Sequence, residues 1–191
     1  MERSWSCLDC QFEGAEPLCL SADGTCDFKR LADVLLKIAT ATELTGNGER
    51  MRAYDCVDEM VQTAPEAAVA FIIAALDECR TGAHVALLGA GALETLLRAH
   101  GAKVIGPLEE TASKHAKMRY LLSATWGEAS MVPGVWQRLV AAVAPGPVMD
   151  ADPRTPAAGM HDRILDGEAL AAMLAEPMRM EAEVRAEAAP Q

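Results

Sequence analysis

The stretch Val85-Ala-Leu-Leu-Gly89-Ala-Gly91-Ala-Leu-Glu94-Thr-Leu-Leu-Arg-Ala-His100-Gly101-Ala-Lys103-Val104-Ile105-Gly106 decides the fold. With a strand at Val85 to Leu88, Gly89 and Gly91 open a dinucleotide-binding turn and Gly101 to Ile105 leads into a second strand. With a helix there, the same glycines mark only a break or a close helix contact. Two features favour the helix. Glu94 stands where the fingerprint needs its third glycine, so its side chain would fill the space for tight helix packing and bring negative charge to a pyrophosphate. A doubly wound fold also needs alternating strands and helices around this unit, and the flanking sequence does not supply them. The helical reading buries Val85, Leu88, Leu93, Leu96 and Leu97 and predicts a stop at His100-Gly101.

Upstream, Phe28, Leu31, Val34, Leu35 and Ile38 recur at helical spacing, with Lys29, Arg30, Asp33 and Lys37 opposite, which predicts an amphipathic helix from about Asp27 to Thr40. Thr45-Gly-Asn-Gly48 breaks it. A second helix follows, with Tyr54, Val57, Met60 and Val61 on one face and Glu49, Arg52, Asp55, Asp58 and Glu59 elsewhere. Thr63-Ala-Pro65-Glu66 reads as a capping box with proline in the first turn. The body behind it, Ala67 to Leu76, is apolar on every side, which predicts a helix at the centre of the domain, ending near Thr81-Gly82.

Downstream, Val104, Ile105, Leu108 and Ala112 predict a helix from Ala102 to His115, with Pro107 near its start or kinking it. Lys117 to Trp126 and the segment from Pro133 to Val143 predict two more. Ala144-Pro-Gly-Pro147 and Asp152-Pro-Arg-Thr-Pro156 read as a linker, followed by one short helix through Leu170 and Met173 and a fraying tail. The chain thus divides into an irregular Cys-containing leader (1–26), a helical domain (27–144), a Pro-rich linker (145–160) and a C-terminal helix with an acidic tail (161–191). The expected class is all-α: a compact stack of helical hairpins, HEAT-like or an irregular bundle, with about seven or eight helices, no substantial sheet and no sure repeat period.

Composition agrees with this. The chain has 191 residues, 51% of them hydrophobic but only 4% aromatic, so its core is built from Ala, Leu, Val and Met, which suits close helix packing. The formal net charge is −11. Such a field repels nucleic acid and attracts a basic protein, while also keeping the chain soluble. No apolar run has signal-peptide or membrane-spanning length, so the chain reads as cytosolic and no membrane partner is expected. Its six cysteines are then expected to be reduced.

Cys7, Cys10, Cys19 and Cys26 form one C-x2-C knuckle and two singles. Strong zinc signals repeat the knuckle, so the first reading is small thiols in an irregular leader, with a zinc-stabilised interaction module as the alternative. No H-E-x-x-H, G-x-S-x-G or Walker loop occurs, and His84, His100, His115 and His161 are scattered. Cys56 with His100 or His115 makes a conceivable nucleophile and base, but the sequence does not bring them together. Glu109 and Glu110 are adjacent on a helix, hence about 100° apart, which fits a solvated face better than paired acid and base. No cofactor is expected and catalysis is not; a nucleotide-cofactor enzyme using Gly89 and Gly91 is the remaining alternative.

Tyr54-x-x-Val57-Asp58, Ala64-Pro65-Glu66-Ala67, Ile72 to Leu76, Gly91-Ala-Leu-Glu94-x-Leu96-Leu97-x-x-His100-Gly101, Trp126 and Trp136 carry a further likeness. Over residues of about 51 to 143 the chain resembles an uncharacterised family of small bacterial helical proteins, a domain of unknown function. It departs from the family's tendencies at Ala92, where the family tends to Pro, and at Tyr54, where it tends to Trp. The resemblance implies a stack of helical hairpins and brings no activity. Acidity, a small helical body and the missing catalytic motifs lead to the expected function: a binding protein of immunity or antitoxin type that occludes a basic bacterial toxin. Asp55, Asp58, Glu59, Glu109 and Glu110 are its candidate partner-binding residues.

Overall fold

A computed structural model of the chain describes residues 17–21, 23–40, 48–144, 146–149 and 165–178. Helix α1 (Phe28–Leu36) starts at Asp27, whose Oδ1 accepts the Arg30 N–H at 2.9 Å, and tightens into a 3-10 turn over Lys37–Thr40. Then come α2 (Gly48–Thr63), α3 (Pro65–Glu78), α4 (Gly82–Leu87), a π-helical turn (Leu88–Leu93), α5 (Glu94–Lys114), α6 (Ala116–Ser123), α7 (Pro133–Val143) and α8 (Gly167–Ala175). The described residues include an isolated antiparallel bridge, Leu20 to Cys26. Among the described residues the fold is all-α, a bundle of helical hairpins without a sheet.

The uniformly apolar α3 lies at the centre, as its sequence requires. Phe71, Ile72 and Leu76 are fully buried, and α1, α2, α5 and α6 all pack against it. Pro65 occupies its first turn, but the expected capping box does not form. The Thr63 hydroxyl instead donates back to the Glu59 carbonyl at 2.8 Å, closing the end of α2, and Glu66 pairs with Lys103 at 2.5 Å. Ala64 is the cap residue and offers no side-chain bond, because a single residue separates the two helices and Thr63 still belongs to the first.

Val85 to Leu88 is helical, so the strand–turn–helix of a dinucleotide site is not formed there. The helix axis passes through the π turn, in which the Glu94 N–H reaches the Gly89 carbonyl five residues back. A Cβ on Gly89 would lie 2.5 Å from the Ala124 Cβ and 3.2 Å from the Leu121 carbonyl oxygen, so this glycine lets α6 cross the π turn at backbone contact. Gly91 has nothing within 4 Å of where its Cβ would be.

The expected stop at His100-Gly101 is a kink instead: His100 leaves helical geometry at φ −133° and ψ 17°, yet α5 runs on to Lys114. The distortion aims the His100 ring so that Nε2 donates to the Gln62 carbonyl at 2.7 Å, one of the orphan acceptors at the end of α2. Gly101 follows because Val135 of α7 leaves no room for a side chain, its Cγ1 lying 2.8 Å from a Cβ built there. Pro107 sits inside α5 without breaking it. α6 stops at Ser123, earlier than the expected Trp126, because Ala124 meets Gly89 and the chain then turns so that the Trp126 N–H reaches Glu94 Oε2 at 3.2 Å.

Two outer segments close the bundle. Leu18 and Cys19 are buried beside the turn Ser21–Thr25, in which Asp23 Oδ1 accepts bonds from Ser21 Oγ, Thr25 N and Thr25 Oγ1. Those three donors hold the Asp23 carboxyl down at about 2. At the other end α8 brings Met173, Leu174 and Met178 into the core, and Asp77 Oδ1 accepts both the Met178 N–H at 2.9 Å and buried Lys117 Nζ at 3.1 Å. Asp77 thus joins α3, α6 and the C-terminal segment at one oxygen.

Two expectations follow for unfolding in urea. Gly89→Ala lowers stability by about 1–3 kcal/mol through overpacking, whereas Gly91→Ala leaves it unchanged or raises it by up to about 1 kcal/mol; equal effects would contradict the contact at Ala124. Asp77→Ala costs about 3 kcal/mol because the Lys117 ammonium stays buried without its counter-ion, while Lys117→Met costs less than about 1 kcal/mol. The order reversed would contradict the junction.

Candidate partner-binding surface

Helix α2 buries Ala53, Cys56, Val57, Met60 and Val61 and turns its remaining surface outward. On that surface Met51 and Tyr54 are 46% and 48% exposed, large apolar groups where solvent would favour charge. Tyr54 and Asp58 are four residues apart and therefore neighbours on the helix. Both line a groove whose other walls are Leu35 of α1, Val57 and Val61 of α2, Leu87 of α4, Gly91 and Ala92 of the π turn, and Thr95 of α5. Its cavity volume is only about 40 Å³, and it opens to solvent. An open groove of this kind does not enclose a small molecule to the extent cofactor sites do.

The π turn shapes this groove from behind. Gly89 is drawn onto α6, and one step further along the helix Gly91 presents no side chain, so the groove stays open at that wall. Gly-Ala-Gly is a sequence on which the wider turn meets little steric resistance.

The acidic residues expected to bind a partner fall into two groups. Asp55 and Asp58 are exposed on α2 and Glu59 is half-buried there. Glu109 and Glu110, on α5, serve the chain's own cations. Glu109 takes the Arg138 guanidinium of α7 through both carboxylate oxygens, with Nε at 2.8 Å, and this contact raises the Arg138 pKa; Glu110 pairs with Lys114 at 3.1 Å. Asp58, in contrast, has no cationic or hydrogen-bonding partner among the described residues.

Tyr54 itself was not among the expected site residues, since its spacing to Val57 and Val61 assigns it to the core face. At about 100° per residue it lies at the edge of the buried stripe centred on Ala53, Val57 and Met60, and the edge is where the pattern fails. Trp126, expected as the last residue of a helix, lies beyond α6 and is 58% exposed.

Cys7 and Cys10 lie outside the described residues. Cys19 is fully buried and Cys26 half-buried, and among the described residues no three His, Cys, Asp or Glu side chains are grouped as metal ligands would be. Cys56 is buried. His84 Nδ1 accepts the Arg80 N–H at 3.3 Å, with its pKa lowered by burial and then by the nearby guanidinium, and His115 precedes α6 as its cap residue. His161 lies outside the described residues. No described helix is long and apolar enough to cross a membrane.

A family model described as a family of unknown function (DUF6869) matches residues 43–146. The chain belongs to that family. No curated protein and no solved structure matches the chain. The DUF6869 segment runs from before α2 to just after α7 and so contains every groove residue except Leu35. Helix α1, the turn at Ser21–Thr25 and helix α8 lie outside the segment matched to DUF6869, yet they complete its core.

Cys79 offers a pH test of the interior next to Asp77. Burial pushes its thiol up to about 12, against an ordinary value of 9, and its Sγ donates to the Ala75 carbonyl at 3.4 Å. The folded pKa lies above the unfolded one, so the folded state's preference for the protonated thiol is fully present below about pH 9 and is lost as pH rises towards 12. Wild-type protein therefore loses more urea stability over that interval than Cys79→Ala does. Parallel pH profiles for the two would contradict a buried, protonated thiol.

Proposed function

We propose that this chain is a protein-binding module of immunity or antitoxin type, acting in the cytosol, which neutralises a basic bacterial toxin by covering it. The observation that carries the reading is the pairing of solvent-exposed Tyr54 and Met51 with an open apolar groove on a helix that also bears Asp55 and Asp58. Interfaces concentrate their energy in a few aromatic anchors seated among groups that exclude water, with charge around the rim. Here the anchors and groove provide the centre and the α2 carboxylates the rim. The net charge of −11 adds a long-range field that speeds encounter with a basic partner and rejects acidic ones.

Occlusion needs no catalytic group in this chain. It needs a rigid surface, and two walls of the groove are anchored in the core: Val57 and Val61 on their core side, and the π turn through Gly89 against α6.

The test is whether a basic, toxin-like protein is encoded beside this chain's gene and, with that protein in hand, whether the chain protects against it and binds it; no such neighbour would count against the reading. Co-expression restores growth, and the purified pair binds with an association rate that falls steeply as salt is raised. Tyr54→Ala weakens binding by about 30-fold, the loss expected of a hot-spot aromatic. Absence of protection together with absence of binding would sink the reading, as would a complex indifferent to Tyr54.

A further inference from the structure

We propose that the groove beside Tyr54 is a receptor for one arginine side chain of the partner, with the alkyl stem laid along the apolar walls and the guanidinium held between the Tyr54 ring and the Asp58 carboxylate. The inference rests on the protein-binding reading above and specifies its central contact.

The chemistry of the lining argues for this occupant. Most of the walls are aliphatic: Leu35, Val57, Val61, Leu87 and Ala92. A purely apolar side chain would satisfy them, but it would also cover Asp58, stripping water from a carboxylate that no described residue neutralises. Burying an unpaired charge is costly, so the favourable occupant brings a cation to that end of the groove. Glu66, Glu78, Glu109 and Glu110 each have a lysine or arginine within ion-pair distance; Asp58 is set apart from the other exposed carboxylates by lining the groove beside Tyr54.

Tyr54 decides between the two common cations. Its ring is half exposed and lies one helical turn from Asp58, so it offers a π face beside the carboxylate. A guanidinium is planar and weakly hydrated, stacks on such a face and presents several N–H donors to a carboxylate at once. An ammonium is a compact, strongly hydrated charge that gains less from an aromatic wall. Gly91 contributes by omission: with nothing within 4 Å of its Cβ position, the wall opposite α2 leaves room for the stem.

The probe is a set of three capped peptides, acetyl-Gly-Arg-Gly-amide and its citrulline and lysine counterparts, titrated into the full chain while the amide resonances of Gly91, Ala92 and Thr95 are followed by NMR. Citrulline keeps the shape of arginine and removes the charge. The arginine peptide shifts these resonances saturably with an affinity of about 1–10 mM, at least about tenfold tighter than either counterpart. Asp58→Asn abolishes the difference between arginine and citrulline, whereas Glu168→Gln, which removes one exposed charge on α8, preserves it. That control separates a site from general attraction to an acidic protein.

Equal binding of arginine and citrulline, equal binding of arginine and lysine, or a response unchanged in Asp58→Asn would each overturn the arginine assignment. Such a failure differs from failure of the interface reading, which is judged on the toxin-like partner with Tyr54→Ala. A third variant, Gly91→Leu, fills the groove from the opposite wall and eliminates the peptide response while the urea midpoint stays near that of wild type. A retained response in that variant would place the peptide elsewhere and overturn the proposal.

Discussion

The structure turns on an approach that only a missing side chain permits. At Gly89 the helix comes so close to α6 that a Cβ would lie 2.5 Å from that of Ala124. The surrounding helix accommodates the approach by widening into a π turn from Leu88 to Leu93, which changes the register of everything after it. Because Ala124 is pinned there, α6 ends, the chain turns, and Trp126 is tied to Glu94 at the head of α5. Because α5 begins in the shifted register, Gly91, Ala92 and Thr95 face α2 and form the wall opposite Tyr54. The groove is thus a consequence of the packing contact rather than a separate feature.

The same economy appears in the electrostatics. An acidic chain of this size must manage its own repulsion, and it does so by pairing carboxylates across helices: Glu66 with Lys103, Glu78 with Lys29, Glu109 with Arg138, and buried Lys117 with Asp77. The exposed pairs each contribute little to stability. Asp58 on α2 is outside these pairs: among the described residues it has no cationic partner, and it lies next to an aromatic ring and an open groove.

Sequence periodicity identified the class of fold, the central position of α3 and the proline-initiated starts of α3 and α7, because each rests on a local pattern. The segment before Glu94 is helical as expected, and Glu94 serves as the acceptor for the Trp126 N–H. What the pattern missed has two physical origins. A period of 3.6 residues carries no information about a π turn, so the pattern places Leu93, Leu96 and Leu97 on the buried face, where they lie, but misses the widened turn that precedes them, and His100 is taken for a stop when it is a kink. Contacts between distant segments are also invisible locally: Asp77, Lys117 and Met178 meet at one oxygen although no spacing relates them. Tyr54 fell between, lying so near the edge of the α2 stripe that tertiary packing alone decided its exposure.

The account joins one packing contact, one groove and one binding role, and a single footprint examines all three. Hydrogen exchange of the full chain, measured with and without a basic toxin-like protein that it is found to bind, should show added protection concentrated in residues 51–58 and 88–95, the outer part of α2 and the π turn that faces it. Protection confined to α7 or α8, with those two segments unchanged, would contradict the account.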